Sequence, residues 1–265
     1  MIKKVLTIAG SDSSGGAGIQ ADIKTITAHK MYAMSVLCAV TSQNTMGVSD
    51  ILTVDKSFVS SQLDSVFTDI FPDSIKIGMV SGPDNIKVIA KKLKEYRAKN
   101  IVLDPVMVST SGSKLIFDEA IDALKNLLIP LCDIITPNIP EAEVLSSVKI
   151  ENKNDMIKAA EKISLYFNGA ILIKGGHLLS DYATDLLYDN GNIKWFSHNK
   201  INNPNTHGTG CTLSSAIACN LANNFDIPTC IENAKTYLTG ALLAMLNLGK
   251  GSGPLDHTYS IKPLF

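Results

Sequence analysis

The sequence predicts an α/β protein built on a doubly wound, mostly parallel central sheet with helices on both faces. Two observations carry that expectation. Short runs rich in β-branched residues recur along the chain, and longer helix-like stretches separate them. An apolar run without polar alternation is the pattern of a strand covered on both faces, as in parallel sheets. Regular strand–helix–strand alternation then implies crossover units wound into one sheet.

The first expected strand is Val5 to Ala9, and a glycine-rich turn leads from it into a helix over Gly18 to His29. Strands follow at Ser35 to Val40, Ile75 to Met79, Ile101 to Leu103, Ile134 to Ile135 and Ile171 to Ile173. Helices are expected between them at Ser57 to Asp69, Asp84 to Lys99, Asp118 to Leu128 and Asp155 to Phe167. After Lys174 the pattern changes. Thr184 to Tyr188 and Ile193 to Ser197 flank Asp189-Asn-Gly191, a hairpin signal that predicts an antiparallel edge. Two helical stretches, Thr209 to Asn223 and Cys230 to Leu248, close the chain on either side of Phe225-Asp-Ile-Pro228. No low-complexity linker, internal repeat or composition shift divides the chain, so residues 1–265 are expected to form a single domain.

With 45% hydrophobic and 18% charged residues, there is apolar material for a core covered on both faces. A formal net charge of -1, with neither sign in runs, argues against nucleic acid or an anionic membrane as partner and for a small molecule. The apolar run after Met1-Ile-Lys-Lys is too short for a signal peptide. No stretch approaches the roughly 18 apolar residues of a spanning helix. A cytoplasmic location is expected. Cys38, Cys132, Cys211, Cys219 and Cys230 are an odd set with no Cys-x-x-Cys spacing, which fits reduced thiols.

In open α/β sheets ligands gather at the carboxyl ends of strands, so the loops there should hold the chemistry. The first loop reads Gly10-Ser-Asp-Ser-Ser-Gly-Gly-Ala-Gly18. Its Gly16-Ala-Gly18-Ile-Gln-Ala21 fits a dinucleotide fingerprint, but the acid that should grip a ribose after the next strand is missing from Thr41-Ser-Gln-Asn-Thr45. Two readings stay open beside that one: a structural tight turn, or a loop whose bare backbone closes over a compact substrate.

No Gly-x-x-x-x-Gly-Lys-Ser/Thr motif occurs, so any phosphate grip must lie elsewhere. Asn205-Thr-His-Gly-Thr-Gly-Cys-Thr212 supplies one. Gly208 and Gly210 set a turn around Thr209, and backbone N–H groups at the next helix's N-terminus face the loop. Such an array stabilises charge on a transferring phosphoryl group, although an ordinary capped helix start is the plainer reading. Cys211 lies in that first turn, where the helix dipole depresses a thiol pKa. A partly ionised thiol is therefore expected, against the alternative of a small packing residue.

Asp104-Pro-Val-Met107 ends one strand, and Asn138-Ile-Pro-Glu141 follows another. Two carboxylates at neighbouring strand ends are a means of holding Mg2+, while either alone reads as a helix cap. Lys174-Gly-Gly-His177 places a cation suited to nucleotide phosphates at a third strand end, with His177 read as structural.

Taken in order, Ala9-Gly-Ser-Asp, Gly15-Gly-Ala-Gly-Ile-Gln-Ala-Asp22, Gln43-Asn-Thr45, Ile77-Gly-Met79, Asp104-Pro-Val-Met107, Thr136-Pro-Asn-Ile-Pro-Glu141, Lys174-Gly-Gly-His177 and His207-Gly-Thr-Gly-Cys-Thr212 span nearly the whole chain. The set resembles the ribokinase superfamily, and within it the bacterial hydroxymethylpyrimidine/phosphomethylpyrimidine kinases. That resemblance implies two phosphorylations with Mg-ATP, first on the alcohol of hydroxymethylpyrimidine and then on the resulting phosphate, in thiamine biosynthesis. It implies that Gln43, Ala17, Met79 and Val106 line the pyrimidine pocket, Gln43 pairing with ring nitrogen and amino group, and Asp22 joining them less directly. Lys174, Asn138 and the Gly208 to Cys211 loop, with Thr209, would hold phosphates, and Asp104 and Glu141 would serve Mg2+. It further implies a homodimer and raises K+ as an accessory ion.

Where sugar kinases of that superfamily carry Gly-x-Gly-Asp, with the aspartate as base, this chain has Gly208-Thr-Gly-Cys211. Phosphoryl transfer depends mainly on positioning and charge stabilisation, so the poorer base is tolerable. The second step needs none, because a phosphate monoester with a second pKa of about 6 arrives deprotonated. The nearest alternative is a pyridoxal kinase of the same scaffold. Cysteine-type relatives of that kind are expected to carry another cysteine in the segment after Asp-Pro-Val, and Val106-Met-Val-Ser-Thr-Ser-Gly-Ser-Lys114 has none. Relatives in general often carry an acid after Ser-Gly in that segment, where Ser113 stands here. A non-catalytic binding protein on a kinase scaffold would be expected to have lost part of the phosphate loop, the carboxylates or Lys174, and all remain.

Overall fold

The structure, a computed structural model, describes residues 1–107, 118–176 and 182–262. Its strands are β1 (Lys4–Asp12), β2 (Tyr32–Asn44), β3 (Gly47–Thr53), β4 (Ser74–Ile77), β5 (Ile101–Leu103), β6 (Ile134–Ile135), β7 (Ala170–Ile173), β8 (Tyr182–Asp189) and β9 (Asn192–Asn199). Among the described residues they form one nine-stranded sheet in the order β3-β2-β1-β4-β5-β6-β7-β8-β9. Pairing is parallel from β2 through β7 and antiparallel for β2·β3, β7·β8 and β8·β9. The expected sheet is therefore present, with an antiparallel edge at each end.

Burial follows the pleat. Leu6, Ile8, Ile101, Leu103, Ile171 and Ile173 point to one core, shared with α2 (Lys56–Phe67), α3 (Pro83–Glu95) and α6 (Lys153–Ser164). Val5, Val102, Ile134 and Leu172 point to the other, against α1 (Gly18–Ala28), α7 (Thr209–Ala222) and α8 (Ile227–Leu243). Short strands such as β5 and β6 are wholly apolar because both faces are covered. The hairpin turn is as expected, with Asn190 at φ 48° and Gly191 at φ 82°, the paired positive values of a type I′ turn.

Three corrections have physical causes. β3 was not expected, because it is an exposed edge strand whose Gly-Val-Ser-Asp-Ile-Leu-Thr sequence carries little apolar pattern. Between α4 (Asp118–Ala123), which continues into a π-helical turn at Leu124–Leu128, and α6 stands α5 (Ile139–Ser146), hidden in the sequence by Pro140 in its first turn. α8 starts at Ile227, because Pro228 occupies a first-turn position where no N–H is needed, and Asp226 caps Thr229 N. That helix also ends earlier than expected, at Leu243.

The chain winds outward from β1 in both directions, to β2 on one side and to β4 on the other. The loops after β1 and β4 therefore lie at the topological switch point, where such sheets leave a crevice. Among the described residues no helix is long and apolar enough to cross a membrane. The five cysteines are free, all buried except the half-buried Cys211.

Candidate active site

The crevice is a cavity of about 740 Å³. Of the residues nominated from sequence, Ala17, Gln43, Met79 and Val106 line it, as do Asp104, Asn138, Glu141 and Lys174 and the turn from Gly208 to Cys211. Asp22 does not. Its side chain is fully buried beneath the site, where it takes Lys76 Nζ on both oxygens (2.9 and 2.8 Å), Thr7 Oγ1 (2.6 Å) and Ser215 Oγ (2.8 Å). All its acceptor sites face protein donors, so it is a structural anchor for Lys76 and not a pocket residue. His177 and the segment from Val108 to Lys114 lie outside the described residues.

The first loop and the last meet to make one wall. Asp12 accepts hydrogen bonds from Ser14 N (2.8 Å), Gly16 N (3.1 Å) and Ala17 N (2.8 Å), which curls the glycine-rich loop around its carboxylate. His207 Nε2 donates to the same carboxylate at 2.8 Å, joining this loop to the N-terminus of α7. Burial resists ionisation of Asp12, but the bonds from His207, Ser14 and Ala17 prevail and hold its carboxyl at about 2. Gly208, at φ 85°, has no room for a β-carbon beside the Gly16 carbonyl. That close approach is what the glycine there provides.

Thr209 N–H turns back to the Thr206 carbonyl (3.3 Å), whereas Gly210 and Cys211 follow in the first helical turn, where the helix itself offers no acceptor. Opposite stand Asp104 and Lys174, joined at 2.7 Å, with Thr136 Oγ1 on the same Asp104 oxygen at 3.2 Å. A β-carbon built on Gly210 would come within 3.2 Å of Asp104 Oδ2 and 3.4 Å of Lys174 Nζ. The Gly210 backbone thus lies across a narrow gap from the Asp104–Lys174 pair. Asn138 and Glu141 form a capping box on α5, Glu141 Oε2 accepting Asn138 N at 2.8 Å and Asn138 Oδ1 accepting Glu141 N at 2.9 Å. Burial, with the neighbouring Asp104 charge adding and Lys174 opposing, pushes the Glu141 carboxyl up to about 7.

The expectation for Cys211 is corrected. Burial pushes its thiol up to about 11, with the nearby Lys76 cation only partly opposing. The helix terminus does not offset the lost hydration, so the resting group is a thiol.

Sequence reasoning gave no role to Asp12, His207 or Thr41, and missed a third region of the cavity altogether. There Leu238, Leu242 and Ile201 supply apolar wall beside a buried pair, Asp185 and Lys235. Asp185 also accepts Gly175 N (2.9 Å), tying α8 to the Lys174 loop. A lone lysine among Ile231, Ala234 and Tyr237 on the buried face of a helix was the signal that could have found it.

A crevice at the switch point, bordered by a glycine turn at a helix N-terminus, a lysine and two carboxylates, defines an α/β phosphotransferase of ribokinase-like architecture. The comparisons with known proteins narrow this. The sequence profile described as phosphomethylpyrimidine kinase matches residues 12–256, and the chain belongs to that family. The hydroxymethylpyrimidine/phosphomethylpyrimidine kinase of Bacillus subtilis is 42% identical over 97% of this chain and 95% of its own. The thiamine biosynthesis bifunctional protein ThiED of Geobacter sulfurreducens is 47% identical over 96% of this chain, which spans 52% of that longer protein. Among solved structures, a phosphomethylpyrimidine kinase from Clostridium difficile is similar with a TM-score of 0.80 and 46% identity, covering 89% of this chain and 98% of that one. An ADP complex of Bacillus subtilis pyridoxal kinase has a TM-score of 0.90 at 36% identity, covering 98% and 99%.

Proposed function

We propose that this chain transfers the terminal phosphate of ATP to hydroxymethylpyrimidine and then to the resulting monophosphate, as its family and relatives suggest. The observation that carries the reading is one cavity bordered at one end by Gln43, Ala17, Met79 and Val106 and at another by the Gly208–Cys211 amides. A flat heterocycle on the Gln43 wall would direct its hydroxymethyl oxygen toward that turn. Lys174 and the amides of Gly210 and Cys211 would carry the charge of the phosphoryl group in flight. The Leu238 and Leu242 region offers apolar surface for the nucleotide base.

The donors present fit Mg2+. Asp104 and Glu141 are hard oxygen ligands beside Lys174, and a cation there would offset the effect of burial that favours the protonated form of Glu141. Bound there, the metal would neutralise charge on the nucleotide phosphates. A cytoplasmic location belongs to the same reading, as does a homodimer. Val40 and Leu52, cross-strand partners at the β3 edge, are 42% and 71% exposed, an apolar strip suited to a second copy.

Pyridoxal phosphorylation is the second reading, favoured by the likeness to pyridoxal kinase. An ATP-consumption assay with hydroxymethylpyrimidine, its monophosphate and pyridoxal side by side tests the proposal. A higher kcat/KM for both pyrimidines is expected, and a preference for pyridoxal overturns the substrate assignment.

A further inference from the structure

Gln43 sits where the β2·β3 register shifts, between Ser42 and Gln43, and Ser13 Oγ pins its backbone on both sides, donating to Gln43 O (2.7 Å) and accepting from Gln43 N (2.8 Å). With the backbone fixed, what remains open is which end of the side-chain amide faces which neighbour. The two neighbours are Thr41 Oγ1, 3.0 Å from Oε1, and His207 Nε2, 3.4 Å from Nε2.

The hydrogens distinguish the two ends. Thr41 has one hydroxyl hydrogen and two acceptors in reach, the Ser11 carbonyl at 2.8 Å and Gln43 Oε1 at 3.0 Å; placed on the nearer, it leaves a lone pair toward Gln43. The Asp12 carboxylate likewise only accepts, so His207 Nε2 carries a hydrogen and presents N–H. Oxygen against Thr41 and nitrogen against His207 would set like against like. A half-turn about the last torsion relieves both contacts: Thr41 receives an N–H, and the amide oxygen becomes a secondary acceptor beside the His207 N–H that Asp12 holds.

We infer that Thr41 and the Asp12–His207 pair lock the Gln43 amide in this one orientation, and that the lock makes them specificity-determining positioning residues. The locked amide has one N–H and one oxygen lone pair left. Their complement is an acceptor beside a donor, as in a ring nitrogen next to an exocyclic amino group. An oxo group in place of the amino group protonates the ring nitrogen and inverts that edge, so the amide would have to turn against both neighbours. The inference rests on Gln43 reading the ring edge, and the test separates the two claims.

The experiment compares kcat/KM at saturating ATP for hydroxymethylpyrimidine and its 4-oxo isostere. Both are measured on the same preparation, so the ratio is insensitive to any loss of folded protein. The wild type is expected to favour the amino compound by roughly 100-fold. Thr41→Val and His207→Phe, which each remove one side of the lock, lower that ratio by roughly tenfold. Gln43→Ala removes it. A ratio unchanged in both Thr41→Val and His207→Phe, with Gln43→Ala abolishing it, overturns the lock alone. A ratio that survives Gln43→Ala overturns the ring-reading role of Gln43 as well.

Discussion

Gly210→Ala separates the stability of the phosphate turn from its chemistry. Gly210 is the second residue of α7, and its φ is not in the left-handed region, so alanine suits the local backbone and is favoured in a helix by up to about 1 kcal/mol. The added methyl, however, enters the gap in front of the turn, 3.2 Å from Asp104 Oδ2 and 3.4 Å from Lys174 Nζ. Those contacts are tight enough to force the ion pair back by a few tenths of an ångström, and the methyl occupies space a transferring phosphoryl group needs. Misplacing or screening a preorganised donor set costs roughly 100-fold in rate, about 2.7 kcal/mol of barrier. Steady-state kinetics with hydroxymethylpyrimidine and thermal unfolding on the same protein should therefore diverge: kcat falls roughly 100-fold, and Tm is unchanged or higher. Wild-type kcat in this variant would refute the reasoning, and a large drop in Tm would assign the loss to folding.

Three further outcomes follow from the geometry. Cys211→Ala should slow phosphorylation of the alcohol and of the monophosphate by similar factors, because a thiol held at about 11 is no base at neutral pH; step-resolved product analysis showing the alcohol step alone slowed roughly tenfold or more would contradict this. Lys76→Met strands the Asp22 carboxylate in the core and should cost about 3–5 kcal/mol in urea unfolding, most of it recovered in the double variant with Asp22→Leu; no recovery would contradict the pairing as the cause. Burial, reinforced by Lys24, depresses His257 from 6.5 to about 4, so the unfolded chain binds the extra proton between those values. The resulting stability is full above pH 6.5 and is lost as pH falls toward 4. His257→Gln should flatten that part of the urea-midpoint profile, and an identical slope in the variant would contradict it.

The parallel strands were legible because both of their faces are buried and leave an uninterrupted apolar signature. β3 was not, since an exposed edge strand is held by ladder hydrogen bonds that any sequence can make. The site divides in the same way. Residues that bring bare backbone or charge to a strand end, such as Gly208, Gly210, Asp104 and Lys174, carry their chemistry in their type. Asp12 acts through distant partners, and its 195-residue separation from His207 hides the link from any local reading. Cys211 was misjudged because position in a helix turn is written in the sequence while desolvation is not.

The phosphate turn facing the Gln43 wall is the arrangement on which the whole functional account depends. A crystal structure with a non-hydrolysable ATP analogue and hydroxymethylpyrimidine tests it most directly. The account predicts the terminal phosphate within hydrogen-bonding distance of the Gly210 and Cys211 N–H groups, with the hydroxymethyl oxygen aimed at it from a ring held by Gln43. A nucleotide whose phosphates lie away from the α7 turn, or a pyrimidine bound apart from Gln43, would contradict it.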